Sequence, residues 1–137
     1  MESKDQQETP TKTPAAQHPG FKIIAGLIIS SVVGFFVFGW LAGVGLYGPM
    51  IPAAFPGLGI NLTSNRRSYV LGAVAAVVGG GLAVLAEWKN FPFITDGSLS
   101  FFLSNLSELS GRTHLLMLVG VALGFFLGTN FSKAPKS

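Results

Sequence analysis

The chain has 137 residues, 49% of them apolar and only 11% charged, well below the roughly 25% of charged residues in an average soluble domain. Its formal net charge of +3 comes from basic residues scattered singly or as the pair Arg66 and Arg67, without the clustered basic face of a nucleic-acid binder, so lipid headgroups are the expected anionic neighbours and nucleic acid is not. The absence of cysteine excludes disulfides, thiolate-held zinc, iron–sulfur clusters and thiol lipidation.

Residues 1–22 mix Pro, Gln, Thr and both signs of charge without an apolar period, a composition expected to stay a disordered polar tail. Glu2, Asp5 and Glu8, with no Arg, argue against a transit peptide. Residues 23–47 then carry no charge and no proline. As a helix they would be about 37 Å long, enough for a ~30 Å hydrocarbon core, and too long for the ~7–15-residue apolar region of a signal peptide.

In residues 48–62, Pro49, Pro52 and Pro56 remove backbone donors and Gly48, Gly57 and Gly59 favour turns. An irregular apolar loop is the expectation, lying at the membrane interface or folding back against the bundle as a re-entrant segment. A second span is expected at residues 69–86, with Tyr69 and Trp88 at its shoulders as aromatic anchors and three successive glycines, Gly79, Gly80 and Gly81, inside it.

Residues 98–110 place Leu99, Phe102, Leu103, Leu106 and Leu109 on one helical stripe opposite Ser100, Ser104, Asn105, Ser107 and Glu108. This predicts an interfacial amphipathic helix, capped by Asp96 and ended by Gly111. A third span is expected at residues 113–131, with a short basic tail over 132–137. Small residues recur at four-residue spacing in all three spans, which is the pattern of close helix association in membranes. The expected packing positions are Gly26, Gly34, Gly39, Gly43, Gly72, Gly80, Gly120, Gly124 and Gly128.

Charges inside a membrane mark chemistry, and no span contains one. Glu87 and His114 come closest, at the end of the second span and the start of the third, where both are expected to stay solvated at the interface. As a pair they could do acid–base work or hold a metal, but no further His or acid stands at a ligand spacing from either. No catalytic, cofactor-binding or metal-ligating residue is therefore expected, and no enzyme. Residues 39–48 superficially resemble the glycine-repeat hairpin of a rotary ATP synthase proton-carrying subunit, yet no partner helix offers the mid-membrane Asp or Glu which that family needs.

The fold class expected is an all-α integral membrane protein, a three-transmembrane-helix bundle with an interfacial amphipathic helix. Three crossings put the two termini on opposite sides. Lys22 favours a cytoplasmic N-terminus, although the basic residues of the two sides nearly balance under this topology. The expected role is a small non-enzymatic accessory or scaffold subunit in the bilayer, packing as a homo-oligomer or within a larger membrane complex, most simply in a bacterial cytoplasmic membrane. The alternative is an oligomeric channel or transporter subunit with residues 48–62 as its re-entrant lining.

Overall fold

The computed structural model describes residues 18–91, 93 and 95–130. Residues 1–17 of the tail expected over 1–22, and the whole of the one expected over 132–137, lie outside the described residues. The helices are α1 (Pro19–Gly43), α2 (Met50–Thr63), α3 (Tyr69–Asn90), α4 (Leu99–Ser104) and α5 (Gly111–Thr129), with a 3-10 turn at Leu106–Glu108. Three of them, α1, α3 and α5, are long and apolar enough to cross a membrane.

Each long helix starts on a local signal. Pro19 opens α1, where a fixed φ suits the first turn and a missing N–H costs nothing, so the helix begins four residues before the apolar run and takes in the end of the expected tail. Ser68 Oγ accepts from Leu71 N at 3.4 Å at the start of α3. Ser110 Oγ does the same for Thr113 N at 3.3 Å in α5. Gly111 thus lies inside the start of α5 and does not end the preceding helix.

The expectation of an irregular loop over residues 48–62 fails. Met50–Thr63 is a helix of 14 residues with Pro56 in its interior. Pro52 sits in the first turn, where no intrahelical bond is lost, and only Pro56 removes one. Burial outweighs that loss. Pro52, Ala53, Pro56, Gly57, Gly59 and Ile60 are all buried, because α2 is held between α1, α3 and α5, and backbone in an apolar interior must satisfy its own hydrogen bonds.

Neighbouring residues fix the helix directions. Gly34 of α1 lies against Phe55 and Gly26 against Gly59 and Thr63, so α1 and α2 are antiparallel. Gly120 lies against Met50 and Ala53, and Gly124 against Gly57, so α2 and α5 run the same way. Gly72 meets Phe125 and Thr129 while Gly80 meets Val121, making α3 and α5 antiparallel. Hence α1 and α3 run in one direction, α2 and α5 in the other.

This differs from the simple alternation of three passages on which the expectation of termini on opposite sides rests. The start of α1 and the end of α5 lie at the same end of the bundle, together with the α2–α3 connection. Pro19 and Lys22 share a cleft with Arg66, and Ser68 N donates to Thr129 O at 3.1 Å. The structural reason is α2: with the preceding residues 46–49 it returns the chain through the bundle, adding a fourth passage absent from the sequence reading.

The amphipathic helix expected over residues 98–110 is shorter than its apolar stripe. α4 has only six residues. Asn105 Nδ2 turns back to Phe101 O at 2.9 Å and Ser104 Oγ to Ser100 O at 2.9 Å, and such side-chain bonds compete with helical continuation. Ser98, not Asp96, caps α4, accepting from Phe101 N at 3.3 Å. Asp96 accepts from Ser98 N instead, at 2.8 Å.

Candidate functional site

The end of the bundle away from the start of α1 brings together three hydroxyls, those of Tyr47, Ser110 and Thr113, and the one buried carboxyl among the described residues. After Gly43 the chain turns through Gly45, whose φ of +82° is a left-handed conformation that glycine adopts without strain. It then runs back along the bundle. This reversal brings Tyr47 against Glu87 near the end of α3 and Thr113 in the first turn of α5.

Tyr47 donates to Glu87 Oε1 at 2.8 Å. With its single proton so used, its oxygen accepts from Thr113 Oγ1, 2.7 Å away, and Thr113 in turn accepts from the Ser110 hydroxyl at 3.0 Å. The bonds therefore run in one sense from Ser110 to Glu87, an arrangement in which each polarises the next. Phe38 and Phe91 pack edge-on to the Tyr47 ring, at centroid distances of 6.5 and 5.4 Å. Glu87 is only 4% exposed, and its Oε2 makes no hydrogen bond among the described residues.

The expectation that Glu87 stays solvated is corrected by this burial. It and His114 do lie at the same end, as the sequence indicates, but they do not pair. His114 Nδ1 lies 3.1 Å from Ser110 O, and the inward position on α5 belongs to Thr113. Chemically, the cluster can fasten the reversed segment to α3 and α5. It can also hold a proton on a carboxyl that touches a hydroxyl chain. Among the described residues no group of three His, Asp or Glu comes together as a metal site.

The nine packing positions divide. A Cβ built at Gly34 would stand 2.6 Å from Phe55 Cβ, at Gly26 2.7 Å from Gly59 O, at Gly120 2.6 Å from Met50 Cα, at Gly124 2.7 Å from Ala53 O, and at Gly128 2.7 Å from Ala75 Cβ. Gly72 is closer still to Thr129. Gly80 has only ordinary contact with Val121 at 3.4 Å, Gly39 only Asn90 Oδ1 at 3.7 Å, and Gly43 nothing within 4 Å. Three further glycines have backbone pressed against them: Gly57 by Gly124, Gly59 by Gly26, Gly79 by Ala53.

No protein-family model, curated protein or solved structure matches the chain. Functional argument therefore rests on the cluster and the surfaces themselves.

A second polar seam fastens the opposite end. Asn130, fully buried and left-handed at φ 58°, ends α5 and directs Nδ2 toward Ser64 O and Arg66 O at 3.5 and 3.4 Å. Asn61 Nδ2 donates to Leu127 O at 3.0 Å. Each end of the α2 passage is thus hydrogen-bonded to α5.

Proposed function

We propose that this chain is a non-enzymatic multi-pass membrane protein acting as an accessory or scaffold subunit, with its closed interior serving stability and its outer surface serving association. The observation that carries this reading is the contrast between the two. Inside, the glycines of α1, α3 and α5 bring backbones into direct contact around α2. Outside, α1 displays Ile28, Val32, Phe36 and Trp40 at four-residue spacing, between 50% and 71% exposed, a continuous apolar face for lipid or for a larger apolar partner. The basic end, with Lys22, Arg66 and Arg67, faces the cytoplasm in this reading.

Purification in mild detergent, followed by identification of what remains bound, tests it. A larger membrane protein or a defined homo-oligomer should co-purify in fixed ratio, and substitutions on the outer face of α1 (Phe36→Ala with Trp40→Ala) should release it. A monomer free of any partner, with a cellular phenotype unaffected by those substitutions, would overturn it.

One observation favours a second reading, a channel or transporter subunit. The passage through α2 is broken: irregular backbone at residues 46–49 leads to a helix whose first residue, Met50, lies beside Gly120 at the midpoint of α5. Discontinuous helices that begin near the bilayer centre are a feature of transport sites. Flux through proteoliposomes separates the two, since the scaffold reading expects no ion or proton leak above that of empty vesicles.

A further inference from the structure

We propose that the cleft at the basic end is a binding site for the phosphate headgroup of an anionic phospholipid, with one acyl chain lying along the groove between α1 and α2. The inference rests on the membrane reading above and goes beyond it by assigning a ligand to a specific place.

Two adjoining hollows make up the site. The first, of about 300 Å³, is lined by Pro19, Lys22, Ile23, Thr63, Ser64, Asn65 and Arg66. The second, of about 490 Å³, shares Lys22, Thr63 and Asn65 with it and continues past Phe21, Ala25, Ile29 and Leu62. The polar hollow lies at the end of the bundle and the apolar one leads from it toward the centre. Phe21, Ala25 and Ile29 are successive positions on one face of α1, covering roughly 12 Å along its axis. A molecule that fits must carry its charge at the interface and its apolar length inward, which describes a phospholipid and neither a free anion nor a soluble peptide.

Charge agrees with shape. Lys22 offers a point charge and Arg66 a planar fork suited to phosphate oxygens. The acids among the described residues, Glu87, Asp96 and Glu108, all lie toward the opposite end of the bundle. Arg67, by contrast, is engaged beside Tyr69, donating to its hydroxyl at 2.7 Å with the guanidinium 5.3 Å from the ring centroid. Gly26 sets the depth of the groove: because Gly59 and Thr63 pack onto it directly, α2 sits close to α1, and Leu62 (74% exposed) and Ile29 (64% exposed) are left as its walls. Headgroup attraction of this kind is worth about 1 kcal/mol per basic residue near a membrane surface.

Native mass spectrometry of the full chain in detergent, titrated with phosphatidylglycerol or with phosphatidylcholine, reads the site. Phosphatidylglycerol should be retained roughly ten- to thirtyfold better, the ratio two such basic contacts supply. The double variant Lys22→Gln, Arg66→Gln should bring retention down to the phosphatidylcholine level, and Lys89→Gln, Arg112→Gln, at the other end, should leave it unchanged. Millimolar inorganic phosphate should not displace the lipid. Equal retention by the Lys22/Arg66 variant, equal loss in both double variants, or displacement by phosphate would each overturn the proposal. Resistance of the expressed protein to carbonate extraction from membranes is measured in parallel, so that failure of the membrane reading is seen separately from failure of the lipid site.

Discussion

Single atoms decide several positions in this bundle, and glycines show it most directly. A Cβ at Gly57 would run into the backbone of Gly124, whereas one at Gly81 would meet nothing within 4 Å. Backbone cannot swing aside as a side chain can, so Gly57→Ala must push α2 off α5, at a cost of about 1–3 kcal/mol by analogy with overpacked cores. Gly81→Ala adds only helix propensity, up to about 1 kcal/mol in favour in water. The first should lower the unfolding temperature in detergent and the second should hold or raise it; similar shifts in both would contradict the packing described. Tyr47→Phe keeps the ring between Phe38 and Phe91 and removes only the hydroxyl that serves Glu87 Oε1. A buried acceptor left unsatisfied costs about 1–3 kcal/mol, so this variant should destabilise more than Thr113→Val, which leaves the Tyr47–Glu87 bond in place. The reverse order in thermal melts would show that the cluster does not centre on Glu87. Part of the cluster was legible. Thr113, Gly120, Gly124 and Gly128 are all buried in α5 and share one face, so extending the glycine face back by two turns reaches Thr113 and not His114. Likewise Glu87 falls two turns beyond Gly79, on the small-residue face of α3, and its burial follows. Tyr47 was not legible, because its place depends on a chain reversal that no periodicity encodes.

Among the elements, the three long helices were readable from uninterrupted apolar length, and α2 was not, for a physical reason. Local grammar assigns Pro52, Pro56, Gly57 and Gly59 to turns, a rule that weighs backbone propensity in water. The surroundings of α2 reverse its weight. The same small and ring-closed residues that make a poor isolated helix make a thin one, and only a thin helix lets three neighbours approach at once. α4 shows the opposite error: its apolar stripe is regular over about three turns, yet Ser104 and Asn105 bond back to the chain and the helix stops. Hydrogen exchange separates these two elements. Amides of α2 should exchange as slowly as those of α3 and α5, since they are enclosed by α1, α3 and α5, while those of residues 99–108, in a six-residue helix and a single 3-10 turn, should exchange orders of magnitude faster. If α2 exchanged at the rate of residues 99–108, it would be the interfacial loop that its sequence suggests.

At the scale of the whole molecule, the return passage of α2 changes the distribution of charge between the two ends. With three crossings the basic residues nearly balanced. With α2 leading back through the bundle, Lys22, Arg66 and Arg67 lie at one end, the side on which Lys4 and Lys12, before α1 in the sequence, and Lys133 and Lys136, after α5, are then expected. Of the described basic residues, Lys89 and Arg112 lie at the other, in company with Asp96 and Glu108. The imbalance is what the positive-inside rule requires of a defined orientation, and neither end depends on a single residue for it. Both termini and residue 65 are therefore expected on the cytoplasmic side, and residue 107 across the membrane. Because the chain contains no cysteine, Asn65→Cys and Ser107→Cys, both at exposed positions, provide single labelling sites without further substitution. In oriented membranes an impermeant maleimide added from the outside should reach Cys at 107 and reach Cys at 65 only after permeabilisation, and reporter fusions at the two termini should agree with each other. Termini on opposite sides would mean that α2 does not carry the chain across, and the near-balance of charge found with three crossings would then stand.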